Sequence, residues 1–180
     1  DKIAAAGHKP VAITGEAAKA RVHLLRAQCD AILVGIGTVL SDDPMLTCRL
    51  PGMEARSPVR VVLDRALRIP GASKLVHSAR ETPLWVMTSN LSEAPAAMKL
   101  GAAGAHVIRV PTTTHPPPGL HLAAVLRALG EKGITRLLVE GGAAMMGDIV
   151  LVHELAHALA DQTFNLTRFL ETPASDEAQL

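Results

Sequence analysis

Ala31-Ile-Leu-Val-Gly-Ile-Gly-Thr38 decides how this chain is read. Its first four residues are apolar without alternation, which suits a strand buried on both faces, and the glycines that follow mark a sharp exit from it. Upstream, the stretch from Thr14 to Cys29 puts Ala18, Val22, Leu25 and Cys29 at helical spacing, with Lys19, Arg21 and Arg26 elsewhere on the wheel. That predicts an amphipathic helix with Thr14 as N-cap, running straight into the strand.

The alternation continues downstream. Val59 to Leu63, Leu84 to Met87, His106 to Val110 and Thr135 to Val139 read as strands. Ser92 to Ala103, Leu120 to Leu129 and Ala143 to Val150 read as helices, with Pro95 in the first turn of its helix. Pro111 to Gly119, rich in proline and threonine, reads as a loop inside one architecture. Short apolar strands alternating with helices predict an α/β domain with a largely parallel sheet, whose ligands bind at the carboxyl ends of the strands.

Composition narrows the partners. Of 180 residues 48% are apolar, yet Trp85, Phe164 and Phe169 are the only aromatics, so the core of one domain is built mainly from Ala, Val, Leu and Ile. Eighteen Lys plus Arg against seventeen Asp plus Glu give a net charge of +1, without the field that draws a protein to nucleic acid or an anionic membrane. Stacking platforms for single strands are missing as well. Cys29 and Cys48, with no CxxC, predict a reduced cytoplasmic protein and exclude a cysteine zinc site. No apolar run approaches a membrane span, and no basic leader precedes a hydrophobic stretch.

Three strand exits and one helical motif could carry chemistry. Gly35-Ile-Gly37 is a GxG, but Leu40 occupies the third glycine position of a dinucleotide fingerprint; it is either a phosphate loop or a tight turn that needs glycine torsions. At Glu140-Gly-Gly142, free N–H groups at a helix start suit a pyrophosphate, and Glu140 could accept from hydroxyls or amines of a second ligand; the plain alternative is a glycine turn with a solvated Glu. At Asp64-Arg65-Ala-Leu-Arg68 the acid could hold a ribose 2′-hydroxyl and the arginines a 2′-phosphate, or the turn is simply charged and solvated. Asp42-Asp43-Pro44 is ordinary turn chemistry, although these carboxylates and Arg49 would fall beside a ligand held at the GxG loop. His153-Glu-Leu-Ala-His157 is an HExxH that could grip Zn²⁺, with Glu177 as a third ligand, or a polar helix face with satisfied histidines.

Four segments extend this reading: Ile13-Thr14 with Arg21-Val-His-Leu-Leu-Arg-Ala27; Asp30 through Thr38 to Asp42-Asp-Pro-Met-Leu-Thr-Cys-Arg49; Pro58-Val-Arg-Val-Val-Leu-Asp64; and Gly133 to Gly142 with its Leu-Val-Glu-Gly-Gly core. In this order they resemble the reductase domain of bacterial riboflavin biosynthesis, the dihydrofolate-reductase-like half of the bifunctional deaminase/reductase. The resemblance implies NADPH-dependent reduction of the ribosyl group of 5-amino-6-(5-phosphoribosylamino)uracil to the ribityl form, in a homodimer with no metal. It places Ala12, Thr38, Asp42, Gly142, Ala143, Ala144, Met145, Met146 and Gly147 at the cofactor, with Arg65 joining them at the second exit. Arg26, Leu46, Arg49 and Glu140 would line the substrate site, the two arginines holding the 5-phosphate by bidentate forks. Asp42 and Glu140 would be the catalytic carboxylates, Asp42 nearest the reacting carbon.

Several features depart from the family. Ala12 stands where an aromatic residue is common, Asp1-Lys-Ile-Ala is expected to fall within or just after the turn that ends the family's first strand, and the sequence contains no PCxxC. In place of the family's closing hairpin comes the HExxH segment, and both phenylalanines lie beyond this seam. A reductase domain over 1–149 and an atypical segment over 150–180 are expected. Too little chain follows His157 for a complete peptidase. A zinc-binding fragment and a nucleotide-binding module without turnover remain the competing readings.

Overall fold

Ala31–Gly35 forms β1, whose first four side chains are excluded from solvent, as an uninterrupted apolar run requires. The computed structural model describes residues 16–113 and 119–140, so the expected boundary at residue 150 lies outside it. Around β1 the order is α1 (Glu16–Gln28), β1, α2 (Ile36–Asp42), a 3₁₀ turn (Glu54–Arg56), β2 (Val59–Leu63), α3 (Lys74–His77), β3 (Leu84–Ser89), α4 (Ala94–Ala102), β4 (His106–Val110), α5 (Leu122–Glu131) and β5 (Leu137–Val139).

The five strands form one parallel sheet in the order β4-β3-β2-β1-β5. The α/β architecture with a parallel sheet is therefore as predicted. β5 lies beside β1 on the side away from β2, with Leu33 opposite Val139, which brings the exits of the first and last described strands together. One core layer packs Ile32, Val34, Val62 and Val86 with residues of α2, α3 and α4; the other packs Leu33, Val61 and Met87 with Val125, Leu126 and Leu129 of α5. Gly133, at φ 85°, takes the left-handed position after α5 and turns the chain toward β5. Among the described residues no helix is long and apolar enough to cross a membrane.

Some boundaries differ from the sequence reading. β3 runs two residues further, pairing Thr88 with Arg109 and Ser89 with Val110. The last strand begins at Leu137 and not at Thr135, because the carboxylate of Asp30 accepts from Thr135 N (2.9 Å), Thr135 Oγ1 (2.7 Å) and Arg136 N (2.7 Å) before the ladder starts. α5 starts at Leu122, since Leu120 bridges Thr112 and His121 Nδ1 accepts from Ala124 N as the cap. α2 opens at the GxG as a strand-to-helix turn would have it, whereas α3, only four residues long, shows no period in the sequence.

The GxG turn is corrected as well. Gly35 has an extended backbone at φ −79°, and Gly37 sits inside α2 with nothing within 4 Å of where a Cβ would stand, so this turn needs no glycine torsions. The non-glycine left-handed residues are instead Asp43 (φ 40°), Leu46 (φ 56°) and Leu67 (φ 53°), in the segments that follow α2 and β2.

Candidate functional site

The first-helix face predicted from Val22 and Leu25 is not the packed one. Both are 38% exposed, while His23, Leu24, Arg26 and Ala27 are half-buried. Polar contacts fix the rotation of α1: its apolar stripe is interrupted, whereas His23 and Arg26, one turn apart, reach the same loop strand at Thr47.

Arg26 is the hub. Its Nε donates to Glu140 Oε1 at 2.9 Å and its Nη2 to Glu140 Oε2 at 2.7 Å, a bidentate pair, while Nη1 donates to the Thr47 carbonyl at 3.2 Å. Glu140 is placed by its own N–H, which donates to Leu33 O at 2.9 Å and continues the β5–β1 ladder. Two residues 114 positions apart thus meet because β1 and β5 are neighbours. The fork that the resemblance assigns to a phosphate is occupied by Glu140.

His23 completes this cluster. Its Nδ1 lies 3.2 Å from the Thr47 carbonyl oxygen and 3.2 Å from the backbone nitrogen of Arg49, which donates to it. Burial, and then the charges of Arg26 and Arg49, hold its pKa below the usual 6.5 against the opposing pull of the Thr47 carbonyl and Glu140. The ring is therefore neutral at pH 7.

Beyond this cluster, Thr38 is half-exposed within α2 and Asp42 is exposed at its end. Asp43 caps α2, and its Oδ1 accepts from Lys74 N at 2.9 Å, tying the end of α2 to the start of α3. Leu46 is 2% exposed and belongs to the core beneath the loop, whereas Arg49 is exposed. At the β2 exit Asp64 is fully buried; its Oδ2 accepts from Ile69 N at 2.7 Å and closes the turn, so it does not face outward as a ribose ligand would require. Its Oδ1 has no partner among the described residues, and Arg65 and Arg68 are exposed beside it.

A profile of the RibD C-terminal domain matches residues 1–155. The chain belongs to that family. It is 38% identical over 138 residues to the riboflavin biosynthesis protein RibD of Bacillus amyloliquefaciens, covering 77% of this chain and 35% of that one. It is 31% identical over 157 residues to the 2,5-diamino-6-ribosylamino-4(3H)-pyrimidinone 5′-phosphate reductase of Archaeoglobus fulgidus, covering 83% of this chain and 68% of the other. Among solved structures, RibD of Acinetobacter baumannii superposes with a TM-score of 0.63 at 27% identity over 86% of this chain and 40% of that one. The chain spans about a third of the length of the RibD relative from Bacillus.

As a RibD C-terminal domain the chain has the expected dihydrofolate-reductase-like α/β fold. Of the residues assigned from sequence, Arg26 and Glu140 meet directly and Arg49 joins them through His23; Thr38, Asp42 and Arg65 lie on neighbouring strand exits of the same edge. Ala12, Gly142 to Gly147 and the HExxH of His153, Glu154 and His157 lie outside the described residues. Among the described residues no three His, Cys, Asp or Glu side chains converge as metal ligands. Sequence reading missed His23 and the Thr47 carbonyl. His23 carried one legible signal, its place one helical turn before Arg26; the carbonyl carried none.

Proposed function

We infer that this chain is an oxidoreductase of riboflavin biosynthesis that uses NADPH to reduce the ribosyl group of 5-amino-6-(5-phosphoribosylamino)uracil. The observation that carries the reading is the Arg26–Glu140 pair beside the exposed Arg49, at the strand edge where an α/β sheet binds ligands, in a chain of the RibD C-terminal family. The donor set fits the cofactor: the Thr38 hydroxyl and the exposed Arg65 and Arg68 suit a phosphate-bearing dinucleotide, with Arg65 and Arg68 favouring a 2′-phosphate. Ala12 and Gly142 to Gly147 complete the proposed cofactor set.

NADPH supplies the hydride, and the protein supplies alignment and charge. Arg49 holds the substrate phosphate. Arg26, its fork engaged, holds Glu140 in place as an acceptor for sugar hydroxyls, and Leu46 backs the loop from the core. With the sugar ring opened, its C–O bond broken and its oxygen protonated, the first carbon and the amine nitrogen form an imine; Asp42, the carboxylate assigned nearest that carbon, would donate the proton its nitrogen needs on reduction. The two free thiols, Cys29 and Cys48, support a cytoplasmic location, and the homodimer is proposed from the family resemblance alone.

The test is NADPH consumption by the purified protein with the phosphorylated pyrimidine and with its dephosphorylated counterpart. Turnover of the first and at least tenfold weaker kcat/KM for the second is expected. No turnover of the phosphorylated compound would sink the reading, and equal turnover of both would remove the role of Arg49.

A further inference from the structure

His23 makes two contacts through one atom that cannot both be hydrogen bonds. Nδ1 is 3.2 Å from an acceptor, the Thr47 carbonyl oxygen, and 3.2 Å from a donor, the Arg49 N–H. A neutral ring protonated at Nε2 accepts from Arg49; a ring protonated at Nδ1 donates to Thr47 and leaves the Arg49 N–H without an acceptor among the described residues. The surroundings select between them. The Thr47 carbonyl already accepts from Arg26 Nη1 at 3.2 Å, so it does not need the imidazole. The cations facing the ring are Arg26 on its own helix and Arg49 on the opposing loop, and the one facing anion, Glu140, is engaged by Arg26.

We propose that His23, in its neutral Nε2–H form, is a positioning residue for the substrate's phosphate: by accepting the Arg49 N–H it anchors the loop strand from which the Arg49 guanidinium meets the anion. The proposal rests on the phosphate role given above to Arg49. It also accounts for the rotation of α1, which turns His23 and Arg26 inward at the expense of Val22 and Leu25. Depression of the His23 pKa by burial and the two arginines keeps the accepting form in place at neutral pH.

Two variants separate the bond from the bulk of the ring. His23→Asn keeps an acceptor oxygen near the Nδ1 position, whereas His23→Leu keeps the volume and removes the acceptor. With His23→Leu, KM for the phosphorylated pyrimidine should rise about five- to tenfold, the worth of one hydrogen bond, with kcat and KM for NADPH within about twofold of wild type. His23→Asn should restore KM to within about threefold. An unchanged KM in His23→Leu, a fall in kcat with KM unaltered, or a folded His23→Asn that fails to rescue would each overturn the proposal.

A second readout does not depend on turnover. In ¹⁵N spectra at pH 7 the wild-type His23 ring should show the Nε2–H tautomer, and inorganic phosphate should shift the Arg49 amide at a lower concentration in wild type and His23→Asn than in His23→Leu. An Nδ1–H ring, or equal phosphate titrations in all three proteins, would overturn the role of His23. If the wild type turns over no pyrimidine, the functional reading has failed, and these spectra still decide whether His23 anchors an anion site.

Discussion

Arg26 and Glu140 are neither a surface pair nor a core pair: their side chains are 12% and 27% exposed, and both oxygens of the carboxylate are engaged. Exposed pairs contribute little because water competes, whereas removing one partner of a desolvated pair leaves the other uncompensated. The bidentate geometry and partial burial set the expectation between these limits. Glu140→Gln should lower unfolding free energy by about 1–2 kcal/mol, and Arg26→Ala by more, since it also abandons the Thr47 carbonyl. Urea denaturation of both single variants and the double variant should give a coupling energy near 1 kcal/mol or above. Additive effects within about 0.3 kcal/mol would show that the two side chains are energetically independent. The resemblance named both residues but not their union, because a pair separated by 114 positions is fixed by which strands become neighbours.

At the scale of elements, one carboxylate decides where β5 begins. Asp30, at the entry to β1, accepts three hydrogen bonds from Thr135 and Arg136, and its N–H donates to Arg136 O at 2.9 Å. Burial pushes its pKa up, but those bonds and the Arg136 charge together outweigh it and hold the carboxyl below its ordinary 3.8. As pH falls the unfolded chain takes up this proton first, so the stabilisation is complete above the ordinary carboxylate range and is lost as pH drops through 3.8 and below. Asp30→Asn should cost about 1–2 kcal/mol at pH 7, and the difference from wild type should begin to shrink as pH falls through 3.8 and keep shrinking below it. A penalty constant across that range would remove the charge from the account. The same residue explains a limit of sequence reading. β1 and β2 were legible because each is a largely apolar run in the interior of the sheet, and β4 because its buried Ile108 and Val110 alternate with the exposed Arg109; period and composition report burial. The start of β5 was not, because Thr135 and Arg136 look like strand residues and only a side chain 105 positions away diverts their N–H groups. The face of α1 was misread for a related reason: His23 and Arg26 turn inward for partners that no helical wheel displays.

At the scale of the molecule, the ligand edge is assembled from segments that only the complete sheet brings together: Arg26 before β1, Thr38 to Asp42 after it, Arg49 before β2, Arg65 and Arg68 after it, and Glu140 after β5. An unfolded chain holds none of this geometry, so a ligand of the edge binds the folded form alone and raises global stability by mass action. At about 100 times its dissociation constant NADPH should add about 2.7 kcal/mol, which for a chain of this size corresponds to a rise in Tm of roughly 5–10 °C. On the proposed reading, cofactor choice follows from the β2 exit. There Asp64 is withdrawn into the turn by Ile69 N–H, and the groups left facing solvent are the cationic Arg65 and Arg68. NADH, lacking the 2′-phosphate, should at equal concentration give less than half the NADPH shift. The Arg65→Ala, Arg68→Ala double variant should bring the NADPH shift down to that of NADH while leaving the NADH shift within about 1 °C of wild type. Equal shifts for the two cofactors in the wild-type protein would take the 2′-phosphate away from these arginines, and a loss of both shifts in the double variant would place them at the shared pyrophosphate instead.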